Sequence, residues 1–535
     1  MKKIFFLAAL AISAMSYAQT SDVNWYDVVT ADNNDVKNGA NFVGGANYEN
    51  VQVNEAGDLF VTAVINSVSR DPHATLFATT VETVPGKANM AQTVPAPVFA
   101  KVNADGESQW VVAATDGNYK SYTSLPLADG GLLVALVAHQ AIQDVVGLSL
   151  NGSDAKVAHS LDKVQYGLLV KIATDGKPAI LAKFAQAEEG KTDGIQVRKL
   201  VTDGTNFYLL ANLKSKVAIN GTELEPAHDG GSLAVLKFDD NGAFQGAVQT
   251  GGIAITSSSI DLQFADKKLY ITCSLKGAVD NTLSIGNTSV TLDNANTNIV
   301  VFVANDDLTG NAIKFIAGQT AGSKNVITTY STQLIDGKLF ISGFYQGGIA
   351  GVDNNETGKN RAFVVALNLT SGEASGVQLP AAAASGISSI NADGLLVKGD
   401  SLYAYYYDWS ATGDRIFLQA ISKDMKLGSR IGLVSTPSMT ATRAAAFLGD
   451  DLVYEYYAQK GHKTTVSADE TIQVNPTDMN RGVIVSQKVF KATDPTDANP
   501  VSAREIKAVS KQLNAGNVYV ISGDKVFTSA GQRIQ

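Results

Sequence analysis

Five histidines, two clusters of aromatic residues and one cysteine are the side chains of this sequence best suited to chemistry. His73, His139, His159, His228 and His462 all fall in segments that join two apolar strands of a recurring unit. Neutral imidazole ligates metals and titrates near neutrality. Five on one kind of connection read either as a shared metal or ligand site or as solvated loop residues. Tyr403, Tyr405, Tyr406, Tyr407 and Trp409 crowd one strand; Tyr454, Tyr456 and Tyr457 crowd the next. Alternation divides each set between the two faces of a sheet, so most are expected to pack between sheets. At the strand ends, Tyr407, Asp408, Trp409 and Tyr457 would reach a loop face, where an aromatic ring beside a carboxylate suits a carbohydrate or a peptide.

Other catalytic patterns are thin. The sequence has no His-Glu-x-x-His, Gly-x-Ser-x-Gly, phosphate loop or Cys-x-x-Cys. Ser160 to Lys163 and Ser522 to Lys525 match Ser-x-x-Lys without the helical context that would support it. Asp353-Asn354-Asn355-Glu356-Thr357-Gly358 resembles half a calcium loop, but its twelfth position is Val364 rather than Glu. Asp239-Asp240-Asn241-Gly242 and Asp306-Asp307 read as turns. Cys273 shares a repeat column with Ala63, Leu136, Ala211, Gly343, Tyr406 and Tyr456, which predicts a buried, inert thiol. No cofactor is expected, and a metal is open only through the histidines.

Composition narrows the classes of function. The 535 residues include 42 basic and 51 acidic side chains, a net charge of −9, which argues against a nucleic-acid partner. A single cysteine excludes an internal disulfide framework. Hydrophobic residues reach 45% and charged ones only 17%, with 48 Gly against 12 Pro, a balance that favours strands and turns. Lys2 and Lys3, the apolar run Ile4 to Ile12 and Ser16-Tyr17-Ala18 predict a signal peptide over 1–18, cleaved before Gln19. No cysteine stands near that cut, so a lipoprotein is not expected. Nor does any later apolar run reach membrane-spanning length. An extracytoplasmic location follows as the expectation: periplasmic, outer-membrane-associated or secreted.

The frame for these residues is a repeat. A turn pair followed by an apolar strand appears seven times, beginning near Leu59, Leu132, Phe207, Leu269, Leu339, Leu402 and Leu452. Behind each comes an apolar strand, a turn such as Asp105-Gly106, Asp175-Gly176 or Asn241-Gly242, and another strand. A shorter strand precedes several copies, as at Leu125-Pro126-Leu127. Each unit therefore reads as a four-strand meander, a-b-c-d. Such sheets bury both faces only by packing on one another. The predicted fold is all-β, a seven-bladed β-propeller over 19–493. Its seventh unit runs out after strand c, and Asn24 to Thr30, similar to the first unit's d strand at Gln109 to Thr115, is expected to close the ring.

At these residues the chain resembles the bacterial seven-bladed propeller repeats of secreted proteins. Leu269-Tyr270-Ile271-Thr272, and Val98 to Gly106 followed by Trp110, carry the resemblance best. It implies a fold and no particular activity. A tail over 494–535 is expected to hold a short helix, Arg504 to Leu513, and a hairpin of Val518 to Ile521 with Lys525 to Thr528. Asn499-Pro500-Val501-Ser502 and Gly531-Gln532-Arg533-Ile534 resemble the C-terminal sorting modules of Bacteroidota type IX secretion. The chain departs from them by ending at Gln535, so a small hairpin packed on the propeller is the other reading.

Function is expected where long loops sit on a rigid scaffold. The b–c segments vary most, some with an added hairpin, and the first, Ser67 to Ala96, is long. Shortening it is expected to abolish binding and spare the fold. In propellers b–c and d–a connections share one face, the expected site for a protein or glycan ligand. A glycan-active hydrolase or lyase, or a structural module of the cell envelope without a discrete ligand, are the alternatives.

Overall fold

The computed structural model describes residues 22–31, 46–67, 73–82, 94–116, 118–139, 145–150, 156–160, 166–187, 194–255, 259–277, 281–292, 295–320, 324–355, 359–381, 390–408, 415–433, 444–458, 463–467, 470–473, 481–490, 510–514, 517–522 and 525–528. All seven units form antiparallel blades. Blade 1 is Ala46–Val53, Leu59–Ser67, Val94–Val102 and Ser108–Asp116. Blade 2 is Asn118–Pro126, Leu132–His139, Tyr166–Ile172 and Pro178–Gln186. Blade 3 is Ile195–Thr202, Asn206–Leu213, Ser232–Asp239 and Phe244–Gly251. Ile260–Ala265, Lys268–Lys276, Thr297–Asn305 and Gly310–Ile316 make blade 4. Val326–Ile335, Lys338–Ile349, Arg361–Asn368 and Ala374–Gln378 make blade 5. Ile390–Lys398, Ser401–Asp408, Ile416–Ile421 and Leu427–Leu433 make blade 6. Ala445–Leu448, Asp451–Ala458 and Arg481–Lys488 supply three strands of blade 7. Strand a is longer than its sequence suggests in blades 2 and 5, because its polar stretches also pair on strand b, each across one register slip.

The fourth strand of blade 7 comes from the other end of the chain. Asp22–Val28 runs antiparallel to Arg481–Lys488, from Asp22 opposite Lys488 to Val28 opposite Val483. Among the described residues the buried apolar side chains fall into seven clusters, one in each gap between neighbouring blades. Innermost strands touch their neighbours all the way round, including blade 7 against blade 1. This is a closed β-propeller.

Trp25 anchors the closing strand. It is 7% exposed, and its indole N–H donates to Ala104 O at 2.9 Å. Its ring lies flat against Gly106, which turns between strands c and d of blade 1 at φ +82°; a Cβ there would fall 2.7 Å from Trp25 Cδ2. Gly242 of blade 3, also at φ +82°, meets Leu181 of blade 2 in the same way. The hairpin glycines thus serve twice, for positive φ and for close approach of the previous blade.

Asp27 ties the closing strand to two further elements. Its carboxylate accepts from the Tyr48 hydroxyl and from the Phe77 amide at 2.9 Å. Burial raises its pKa, against the opposing pull of both bonds. A carboxyl whose folded pKa lies above its unfolded one holds its proton more tightly when folded. That stabilisation is complete below about pH 4 and is lost as pH rises through the raised value. Asp27→Asn should therefore melt increasingly close to the parent, or above it, as pH rises from about 4. Parallel melting profiles for the two proteins would place the titration elsewhere.

In blades 1 to 5 the b–c insertions are clamps rather than free loops, whereas Lys463–Ser467 and Glu470–Gln473 of blade 7 pair, among the described residues, only with each other. In blade 2, Val145–Leu150 and Lys156–Ser160 form a hairpin whose first strand pairs with the outer strand of blade 1. The hairpin Val217–Ile219 and Thr222–Leu224 of blade 3 does the same to blade 2. Thr282–Ile285 and Thr288–Thr291 of blade 4 do so to blade 3. Blade 5 uses the end of its long strand b: Gly348 and Ile349 pair with Gly318–Gln319, just past strand d of blade 4. In blade 1, Ala74 and Thr75 of the hairpin His73–Leu76 and Thr79–Glu82 pair with Thr30–Ala31, just past the closing strand. Each clamp covers the edge of the preceding blade, where bare N–H and C=O groups would otherwise face water.

For the first insertion this overturns the expectation that shortening it would spare the fold. Ala74, Leu76, Phe77 and Val81 are all 5% exposed or less and belong to the core between blades 7 and 1. In the tail, Asn517–Ser522 pairs with Lys525–Thr528. Ser510–Asn514 is a third strand of that sheet, not the end of a helix over 504–513. An isolated helix of about ten residues is marginal, and cross-strand pairing with Val518 and Val520 prevails. Residues 504–509 lie outside the described residues.

Candidate functional site

The described histidines sit on separate elements of blades 1, 2 and 3. His73 opens the clamp hairpin of blade 1, opposite Glu82. His139 ends strand b of blade 2, opposite Asn118. His159 lies opposite Val146 in the hairpin on the outer edge of blade 1. His228 occupies a turn of blade 3, half-buried, where its Nδ1 accepts from the Gly230 amide at 2.9 Å. His462 and Trp409 lie outside the described residues. No group of three His, Cys, Asp or Glu arranged to hold a metal occurs among the described residues. The half calcium loop is in part a strand, since Val352–Asn355 pairs back on strand b.

The aromatic strand ends are mostly interior. Tyr407 is 1% exposed in the core between blades 6 and 7, where burial raises its pKa against a hydrogen bond with Arg415. Asp408 is fully buried, and its amide donates to Arg415 O at 2.9 Å. Of this set, Tyr457 alone is both described and partly exposed. Cys273 is fully buried, its thiol pushed up to about 12 by burial, as an inert core residue should be.

A different set of residues surrounds the axis. Strand a is innermost in each blade, so one of its edges faces the channel. In blades 1, 3, 5 and 6 its register against strand b slips at the same place: between Tyr48 and Asn50, Val197 and Lys199, Thr329 and Ser331, Ala392 and Gly394. The residues bulged out are Glu49, Arg198, Tyr330 and Asp393. A bulge sets two residues of one strand against one of its partner and re-aims their side chains. Exposure follows: Glu49-Asn50, Arg198-Lys199, Tyr330-Ser331 and Asp393-Gly394 are each an accessible pair between buried neighbours. All four bulges fall in the first half of strands that enter from the b–c face.

Polar contacts knit this level of the ring together. Tyr122 of blade 2 donates its hydroxyl to Glu49 of blade 1, and Ser124 donates to Gln52 Oε1 at 3.0 Å. The Val197 amide of blade 3 donates to Ser121 Oγ at 3.1 Å. Asp261 of blade 4 accepts from the Thr332 amide at 2.8 Å and hydroxyl at 2.7 Å, while Lys199 Nζ stands 3.4 Å from its other oxygen. In blade 6 the Leu395 amide donates to Ser331 Oγ at 3.2 Å. Arg198 is the exception. Its Nη2 donates to Gln196 Oε1 at 2.8 Å, but its Nε is buried and meets no acceptor. Desolvation lowers its pKa from the ordinary arginine value. A buried donor left without a partner is costly and marks a place where a ligand atom would be gained.

The far mouth of the channel differs. A cavity of about 300 Å³ there is lined by Val53, Gln333, Leu395, Leu396, Val397, Ala446 and Phe447, from the ends of strand a in blades 5, 6, 7 and 1. The charged bulge residues thus lie at the other end of the axis from this cavity. Sequence reading misses the axial set because a bulge is a property of pairing. Its one trace is the consecutive polar pairs Glu49-Asn50 and Arg198-Lys199, which break an alternating strand.

No family model and no curated protein matches the chain. Among solved structures it is similar to the β-propeller domain of the trilobed protease from Pyrococcus furiosus, at 8% identity and a TM-score of 0.40, covering 82% of this chain and 98% of that one. A puromycin-hydrolysing peptidase of Mycobacterium tuberculosis gives 10% and 0.38, over 80% of this chain and 52% of that one. The quinohemoprotein alcohol dehydrogenase of Comamonas testosteroni gives 9% and 0.36, over 87% and 79%. The blade assignment itself rests on the strand pairing described above.

Proposed function

We propose that this chain is an exported, non-catalytic binding propeller. Its ligand, a glycan or a protein, sits on the face shared by the b–c and d–a connections and reaches into the axial mouth. The observation that carries the reading is the ring of accessible bulge residues, Glu49, Arg198, Tyr330 and Asp393, supplied by four blades at one level. Each blade holds its bulge on a buried framework, which is how a rigid scaffold pre-organises a site. Tyr457 and the turn of His228 belong to the rim of the same face. Export rests on the signal-like sequence over 1–18, and no helix among the described residues is long and apolar enough to cross a membrane.

The test is a glycan and protein binding screen of the full chain, repeated on Glu49→Gln with Asp393→Asn. Loss of one charge-assisted hydrogen bond should weaken binding about tenfold, and of both in the double variant up to about a hundredfold. A ligand that binds the double variant as well as the parent, or that maps to the far mouth lined by Val53 and Phe447, would overturn the site. Turnover of a bound glycan would replace binding by catalysis.

A further inference from the structure

We propose that the Arg198–Lys199 bulge is a carboxylate subsite, and that the group it takes is a uronate residue of an acidic glycan. This rests on the binding role above and specifies its ligand. Arg198 has one Nη engaged by Gln196 and a buried Nε that meets no acceptor. Nε and Nη2 form one edge of the guanidinium fork, so a carboxylate there would accept from Nε and share Nη2, which carries a second hydrogen, with Gln196. Lys199 adds a second cation on the same bulge. It is 38% exposed and only loosely tethered to Asp261, whose other oxygen is already saturated by Thr332.

The rest of the ring selects the orientation and the kind of ligand. Glu49 and Asp393 occupy the equivalent bulges of blades 1 and 6, two and three blades round the ring from blade 3, so an anionic group is repelled at those two positions and attracted beside Arg198. Those carboxylates accept hydrogen bonds, and the hydroxyls of a pyranose donate them. Tyr330 is 38% exposed at the bulge of blade 5 and offers a ring on which the C–H face of a sugar can lie. A ligand with one carboxylate, several hydroxyl donors and an apolar face fits this distribution better than an acidic peptide, which has the carboxylates without the hydroxyl array.

The experiment is calorimetric titration of the full chain with four probes: a galactose trimer with one residue oxidised to galacturonic acid, its methyl ester, the trimer of galactose, and an oligoglutamate peptide. Parent, Arg198→Gln and Arg198→Lys are compared, with melting temperature as the check on folding. The acid trimer should bind the parent, lose about 10- to 100-fold in Arg198→Gln, and lose less in Arg198→Lys, which keeps the charge without the fork. The ester and the neutral trimer should bind as weakly to the parent as the acid does to Arg198→Gln. If Arg198→Gln fails to fold, Arg198→Lys and the ester carry the same comparison. Equal binding of acid and ester, an unchanged affinity in Arg198→Gln, or tighter binding of the peptide would overturn the uronate subsite. A ligand from the wider screen that binds this face regardless of Arg198 would overturn the subsite alone. No binding by any member of the screen or of the four probes would overturn both readings.

Discussion

Removing Asp22–Val28 should cost the propeller most of its stability. The deletion strips the outer strand from blade 7 and takes Trp25 out of the core between blades 7 and 1. Loss of a buried Trp side chain alone costs about 3–5 kcal/mol, and the pairing with Arg481–Lys488 goes with it. Set against a typical total of about 5–15 kcal/mol, that is a large fraction. The measurable result is a collapse of the melting temperature and rapid proteolysis, partly reversed by a peptide of residues 22–30 added in trans. Trp25→Ala is the milder version of the same test. An unchanged melting temperature in the deletion would show that the ring holds without its closing strand.

Phe77→Ala should come next in size, although it lies in what the sequence presents as a loop. Phe77 is 5% exposed and packs against Trp25 at 6.1 Å and Tyr48 at 5.9 Å between ring centres. Its amide also donates to Asp27. A Phe-to-Ala change in a core costs about 3–5 kcal/mol, here at the contact that fastens the first insertion to the closing strand. Denaturant unfolding should show the loss, with faster hydrogen exchange in the amides of Asp22–Val28. A loss below about 1 kcal/mol, the usual surface range, would mean that the hairpin is dispensable.

Much of the fold was legible because period and turn chemistry are local. Leu59, Leu132, Phe207, Leu269, Leu339, Leu402 and Leu452 each open or sit one residue into a strand b, and the Asp-Gly and Asn-Gly pairs make the turns they announce. The closing strand was legible because Asn24 to Thr30 repeats the pattern of another outer strand. The site was not. Histidines drew notice by residue type, yet His73 and His159 lie in clamps on a different blade, while His139 ends a strand b and His228 sits in a turn. Glu49, Arg198, Tyr330 and Asp393 share a level only because four strands slip register at one point, which no single segment reveals. Tyr407 and Asp408 stand at a strand end in sequence, but the neighbouring blade covers that end.

The direction of the clamps sets an order of assembly. Those of blades 2 to 5 each cover the blade made just before, so the outer strands of blades 1 to 4 stay bare until the following blade has been synthesised. Over that half of the chain, a protein emerging from its N-terminus would carry one uncapped edge at its growing end, with the capped blades behind it. Asp22–Val28 waits longest, since its partner Arg481–Lys488 is among the last strands produced. Closing a loop of that length carries an entropy cost of about 5 kcal/mol from the logarithmic term alone. Until closure, two apolar edges coexist on one chain, the condition under which neighbouring copies exchange strands. Strand-swapped dimers joined through blade 7 are the misassembly this architecture invites. Refolding yield should therefore fall with protein concentration, even though the finished ring shows no such opening at blade 7.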